Sequence, residues 1–171
     1  DYIAGAFDTP KPTFRHIAYE RYKATRVKAP DELYAQIPRA KEVLNAFGIP
    51  VFEKEGFEAD DVLGTLVYKA KKKEPDLEIV IVTGDMDTLQ LVDAKTKVWT
   101  MRKGISDTVF YDPKAVRERF GVPPESMPDY KGLRGDPSDN IIGVKGIGEK
   151  RASELLAKYK TLEKLYQALE M

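Results

Sequence analysis

Short apolar or β-branched runs alternate with amphipathic stretches over the first two thirds of the chain. Strands are predicted over 2–7, 49–52, 77–83 and 98–101, where β-branched and apolar residues cluster. Between them the spacing predicts helices over 13–26, 31–47 and 60–72. The second carries Leu33, Ile37, Ala40, Leu44 and Phe47 on one face, and the third Val62, Leu63, Leu66, Val67 and Ala70. Such alternation implies an α/β fold with a mostly parallel sheet and covering helices. After about residue 111 the texture changes to short helices over 113–120, 124–133, 149–158 and 161–169. Turns at Gly121, Pro123, Pro128, Gly132, Gly135, Pro137, Gly143, Gly146 and Gly148 punctuate them. Two domains are therefore expected: residues 1–110, an α/β core, and residues 111–171, a small all-helical region.

Composition narrows the chemistry. Among 171 residues there are 28 Lys and Arg against 28 Asp and Glu, one His, no Cys and 42% hydrophobic residues. A wholly disordered chain is excluded, as are disulfides and thiolate metal sites. Carboxylates are the only plentiful metal ligands, so any metal should be a hard one. No apolar run is long enough to cross a bilayer and no signal segment opens the sequence, so a cytoplasmic setting without a membrane partner is expected. The chain opens on a strand-like run without an initiator Met and reads as a fragment of a longer protein.

Acidic residues recur where a site would be built. In an open α/β sheet the ligand crevice lies beyond the carboxyl ends of the strands. Asp8 follows one predicted strand, and Asp85 and Asp87 follow another; turn and helix-capping roles would account for them equally well. Glu58, Asp60 and Asp61 lie in the first turn of a helix, which the macrodipole favours. Three acids within four residues nevertheless exceed what a cap requires, because like charges repel unless a cation compensates. Asp136 and Asp139 sit in a polar loop between helices. If the helical region folds back on the sheet rim, the eight acids gather in one place and demand a divalent metal. Carboxylate and water ligands select Mg²⁺ or Mn²⁺, and two such ions about 4 Å apart form a clamp for in-line attack at phosphate. Setting eight of the 28 acids aside leaves 20 against 28 basic residues, so overall neutrality can hide a basic surface around an acidic pit.

Lys11, Arg15, Arg21, Lys23, Arg26 and Lys28 are opposed locally only by Glu20. On a helix Arg15, Tyr19, Tyr22 and Arg26 form one stripe, suited to a nucleic-acid strand or to a solvated basic face with its rings on the core. His16, in the same stretch, receives no role. Further on, Gly143, Gly146 and Gly148 allow a tight hairpin before a helix, with Lys145, Lys150 and Arg151 adding charge that phosphate would meet.

Taken together, Phe7-Asp8, Thr13-Phe14-Arg15-His16, Tyr22-Lys23-Ala24-Thr25-Arg26, Glu58-Ala59-Asp60-Asp61, Thr83-Gly84-Asp85-Met86-Asp87, Gly135-Asp136-Pro137-Ser138-Asp139-Asn140 and Gly143 to Lys150 resemble the 5′ nuclease domains of bacterial DNA polymerase I and the flap endonucleases. The resemblance covers nearly the whole chain. It implies a PIN-like (Rossmann-like) core with a basic helical arch near 11–28, followed by a helix-hairpin-helix region. The implied activity is metal-dependent hydrolysis of phosphodiesters at 5′ ends and flaps of DNA, and of RNA primers on DNA, in replication and repair. By position Asp8, Glu58, Asp60 and Asp61 match acids around a first metal, and Asp85, Asp87, Asp136 and Asp139 those associated with a second. Arg15, Lys23 and Arg26 match catalytic cations beside the scissile phosphate, with Tyr19 and Tyr22 on the DNA-binding face. Gly143, Lys145, Gly146, Gly148, Lys150 and Arg151 match the hairpin that holds duplex DNA, where K⁺ can also bind in the family. Implied partners are branched or nicked duplex DNA with a 5′ flap and a polymerase in the same parent chain, the protein being a monomer.

The family pattern begins with a further strand, whose Asp is another metal ligand, and a first helix; the sequence starts beyond both. A catalytically impaired, structure-specific DNA-binding fragment is therefore an alternative expectation. A second is a haloacid-dehalogenase-like phosphatase with Asp85 as nucleophile, from the run Asp85-Met86-Asp87-Thr88.

Overall fold

A computed structural model describes residues 1–103 and 106–170, in two compact units, Asp1–Thr65 and Leu66–Met171. The division falls inside one helix. In the first unit the elements are β1 (Gly5–Ala6), α1 (Phe14–Ala18), α2 (Asp31–Ala46), β2 (Val51–Phe52) and the start of α3 (Ala59–Lys73). The second holds the rest of α3, β3 (Ile79–Val82), β4 (Thr96–Lys103), β5 (Asp107–Tyr111), α4 (Pro113–Phe120), α5 (Met127–Arg134), α6 (Glu149–Tyr159) and α7 (Leu162–Leu169). Short 3₁₀ helices cover Met86–Leu91, Pro124–Ser126 and Pro137–Asp139.

In the first unit β1 and β2 run parallel, Gly5 opposite Val51 and Ala6 opposite Phe52, with α2 as the crossover. Gly5 permits the crossover to pack closely, since a Cβ there would lie 3.0 Å from Leu44 Cδ1. The α2 stripe is only half used. Ile37 and Leu44 are half-buried, whereas Leu33, Ala40 and Phe47 are exposed.

The helix predicted over 13–26 is corrected by the structure. Regular helix ends at Ala18, Tyr19 is extended (φ −142°, ψ 99°), and Lys23 is left-handed at φ 56°. Residues 20–25 form turns closed by bonds such as Tyr22 N–H to Tyr19 O (2.9 Å) and Arg26 N–H to Lys23 O (3.0 Å). Tyr22 and Lys23 both reach Glu58, and those tertiary bonds override a weak local preference for helix. Arg15, Tyr19, Tyr22 and Arg26 thus do not share a helical stripe.

In the second unit β3 and β4 are parallel and β4 and β5 antiparallel. The parallel pair matches the expected sheet, whereas the antiparallel β5 lies outside the predicted strands, although Thr108-Val109-Phe110-Tyr111 has strand character. Strand alternation sets the faces. Ile81, Thr96, Val98, Thr100 and Tyr111 are buried, while Val80, Val82, Trp99, Met101 and Phe110 are exposed on the opposite face. The buried residues continue into Leu89, Val116, Val122, Met127, Tyr130, Leu133, Ala152 and Leu156, so sheet and helices share one core.

The helices of this unit start and stop where local chemistry dictates, except that Pro128 and Gly132, expected as turns, lie inside α5, Pro128 in its first turn where a missing N–H costs nothing. Asp112 caps α4, accepting from Ala115 N–H at 2.7 Å, Pro113 opens it, and left-handed Gly121 closes it. Thr161 caps α7 in the same manner, accepting from Lys164 N–H at 3.3 Å. Among the described residues no helix is long and apolar enough to cross a membrane.

Candidate functional site

Each unit gathers its own acids. In the first, Asp8 lies two residues past β1 and accepts the Ala59 N–H at 2.8 Å, tying the strand end to the start of α3. Glu58 and Asp61 bracket that first turn: the Glu58 N–H donates to Asp61 Oδ2 at 2.9 Å, and the Asp61 N–H returns to Glu58 O at 3.0 Å. Asp60 is half-buried on the same turn. The capping geometry considered from sequence is therefore real, and the acids exceed it.

The excess is matched by cations from the basic segment. Arg15 grips Asp61 with two parallel bonds of 2.7 and 2.8 Å. Lys23 Nζ lies 2.7 Å from Glu58 Oε1, and the buried Tyr22 donates its hydroxyl to Glu58 Oε2 at 3.0 Å. Lys11 pairs with Glu55 and Lys28 with Asp31 at the surface. Tyr19, Arg21 and Arg26 also have partners. Counting neighbours along the sequence missed these carboxylates, because most come from distant residues.

Arg15's hydrogen bonds hold the Asp61 carboxyl below the ordinary carboxylate range, outweighing the burial that would raise it; Arg15 is itself pushed up. A depressed folded pKa gives stability that is complete above the unfolded value of about 3.9 and lost as pH falls through the folded one. Thermal melts in EDTA should therefore show wild type more stable than Arg15→Gln near neutrality, with the gap narrowing below about pH 4. A gap that stayed constant would contradict this.

In the second unit Asp85 caps the 3₁₀ helix at Met86–Leu91, accepting the Asp87 N–H at 2.9 Å, and its carboxylate is exposed. Asp87, two residues on, meets Asp136 and Asp139, one carboxylate oxygen from each lying within 4.8 Å of the others. Asp136 and Asp139 are buried, at 7% and 5% exposure. Two glycines build their loop. Asp136 and Ile141 exchange backbone bonds of 2.9 and 2.8 Å. A Cβ at Gly135 would lie 2.6 Å from Gly143 N, and one at Gly143 would overlap the Arg134 and Gly135 backbone. Gly143, matched by resemblance to a DNA contact, thus also serves this backbone-to-backbone packing.

Lys131, on the last turn of α5, ion-pairs with Asp87 and places Nζ 2.8 Å from Asp136 Oδ2. Ser138 adds its N–H at 3.0 Å and hydroxyl at 2.6 Å to Asp136 Oδ1. Burial raises the Asp136 pKa, but Lys131 and Ser138 outweigh it, and the carboxyl sits below its ordinary range. Neither residue was singled out from sequence. The available signal was a cation five residues before Asp136, on a helix leading into the acidic loop.

The glycine hairpin beyond is open. Lys145, Gly146, Gly148, Lys150 and Arg151 are exposed, Gly146 is left-handed at φ 83°, and Arg151 donates to Gly146 O at 3.0 Å. Val144 N–H anchors the hairpin to Leu133 O at 2.8 Å.

Three carboxylates that bring oxygens within 4.8 Å of one another, with an ammonium beside them, are a donor set that suits a hard divalent cation. The family model described as 5′-3′ exonuclease, N-terminal resolvase-like domain, matches residues 1–121; that of the 5′-3′ exonuclease, C-terminal SAM fold, matches 122–171. DNA polymerase I of Caldicellulosiruptor bescii is 50% identical over 172 residues, covering 99% of this chain and 20% of that protein. DNA polymerase I of Bacillus subtilis is 46% identical over 165 residues, covering 96% and 18%. The chain thus spans about a fifth of the length of these curated relatives. A bacteriophage T5 flap endonuclease, solved in a complex with DNA and metal ions, superposes with a TM-score of 0.72 at 25% identity, covering 96% of this chain and 62% of that one. The expected PIN-like α/β part followed by a helical region is the architecture found, and the chain belongs to the 5′-3′ exonuclease family.

Proposed function

We propose that this protein hydrolyses phosphodiester bonds at free 5′ ends and flaps of DNA, and of RNA primers on DNA, using Mg²⁺ or Mn²⁺ held by its acids. The observation that carries the reading is the convergence of Asp87, Asp136 and Asp139 from separate segments in a chain of this family. Asp8, Glu58, Asp60 and Asp61 are the proposed ligands of one ion, and Asp85, Asp87, Asp136 and Asp139 those of another. When bound, the ions supply neutralising charge at the phosphoryl oxygens and lower the pKa of an attacking water. Arg15, Lys23 and Arg26 contribute positive charge that stabilises the developing phosphorane-like oxygens. Tyr19 belongs to the same DNA-binding face. The buried Tyr22 supports that face by holding Glu58.

In this reading residues 1–110 are the nuclease core, and residues 111–171 contribute Asp136 and Asp139 and grip the duplex. The grip uses the exposed hairpin of Gly143, Lys145, Gly146, Gly148, Lys150 and Arg151, with K⁺ as a candidate ion there. The relatives' name supports a polymerase in the same parent chain, and with it a role in replication and repair inside the cell. The binding-only alternative predicts DNA retention without cutting. The phosphatase alternative is set aside by the family membership, and Asp85 is engaged as a helix cap.

Incubating the full-length protein with labelled 5′-flap, 3′-flap and blunt duplex DNA in Mg²⁺ tests the proposal. Cutting concentrated near the 5′-flap junction is expected. Binding without cutting would favour the alternative, and equal cutting of all three substrates would overturn the specificity.

A further inference from the structure

The Asp87–Asp136–Asp139 cluster already has a cation in it. Lys131 approaches from the last turn of α5, its side chain 21% exposed, and pairs at once with Asp87 and with Asp136, whose side chain is 10% exposed. Nothing in the helix demands this. Lys131 is at the C-terminal end of α5, where the macrodipole alone would let it turn to solvent or to the helix's own final carbonyls. It instead bridges carboxylates from two separate segments, because three acids packed this closely are unstable together without a compensating charge. Ser138 occupies Asp136 Oδ1 with two hydrogen bonds and leaves Oδ2 to the ammonium, so Lys131 takes the oxygen that the backbone loop does not use. The first unit repeats the arrangement: Arg15 sits on Asp61 and Lys23 on Glu58.

From this we infer that Lys131 is an internal counter-ion that holds the acidic cluster assembled in the metal-free protein and gives up its place to the divalent ion. The inference rests on the proposed metal site. The ammonium and a divalent ion compete for the Asp87 and Asp136 oxygens, so Lys131 stabilises the assembled acids and weakens metal binding by the same interaction. It acts as a positioning residue: it keeps Asp87 and Asp136 together until metal arrives, and its long flexible stem lets it leave without backbone movement.

Direct Mn²⁺ binding to the full-length protein, followed by the paramagnetic resonance of the free ion, reads this without reference to activity. Lys131→Met is expected to tighten binding by about tenfold; the full Coulomb effect of a unit charge at this range would be larger, and the partial exposure of Lys131 reduces it. The same variant should melt at lower temperature in EDTA and show a larger rise in Tm on adding Mn²⁺. Lys131→Arg, which keeps the charge, should bind Mn²⁺ as wild type does, and the gain should vanish when Lys131→Met is combined with Asp139→Asn. Unchanged or weaker Mn²⁺ affinity in Lys131→Met, with wild type binding normally, would overturn the counter-ion role and leave the metal site standing. Absence of Mn²⁺ binding in wild type and in Lys131→Met alike would overturn both.

Discussion

Asp139→Asn is expected to lower metal-dependent cleavage on the order of a hundredfold or more, the size of losing one preorganised electrostatic contact to the transition state, while DNA binding stays within about threefold. The substitution keeps the shape of a side chain that is 5% exposed and removes only its charge, so the loop from Gly135 to Gly143 should hold. Removing a negative charge from a site that meets phosphate has no reason to weaken the DNA complex. Asp85→Asn should show the same split, and its exposed position makes a folding defect still less of a concern. Parallel single-turnover cleavage and gel-shift titrations provide the check. Equal loss of cutting and binding would mean that these acids serve folding rather than metal.

The second large effect belongs to the glycines behind the acids. A Cβ on Gly143 would meet the main chain of Arg134 and Gly135, which cannot move aside as a side-chain tip could. Gly143→Ala should therefore cost about 3 kcal/mol, at the upper end for overpacking, and lower Tm by about 6–12 °C. Gly148→Ala is the control. A Cβ there has nothing within 4 Å, and the residue lies exposed at the start of α6. Its Tm should stay within about 3 °C of wild type, with DNA binding weakened several-fold as the methyl group keeps phosphate from the backbone. Calorimetry of the two variants side by side tests the argument, which fails if Gly143→Ala melts with wild type.

These contrasts mark where the sequence was readable. The limits of α4 were legible because Asp112, Pro113 and Gly121 carry their signals locally. The acids themselves were legible as residue types at strand ends and in helix first turns, and the fold brings Asp87, Asp136 and Asp139 within reach of one another. What could not be read is what meets across long separations. Arg15 and Asp61 are 46 residues apart and Lys23 and Glu58 are 35 apart, yet these pairs decide that the segment after Ala18 turns instead of continuing as helix. Lys131 was hidden for the same reason. Its helical position suggested an ordinary basic last turn, and only the fold brings Asp87 to it. The strand β5 was missed differently, since its five residues lie just before the change of texture that marks the helical region.

Everything in the proposed chemistry passes through divalent metal held by carboxylates. The most direct measurement is the rate of 5′-flap cleavage by the full-length protein as Mg²⁺ is titrated from an EDTA-treated start, with DNA binding followed on the same samples. The predicted result is no cutting in EDTA, binding intact there, and a rate that rises with Mg²⁺ to saturation. Cutting that persists in EDTA at the saturated rate would contradict the account.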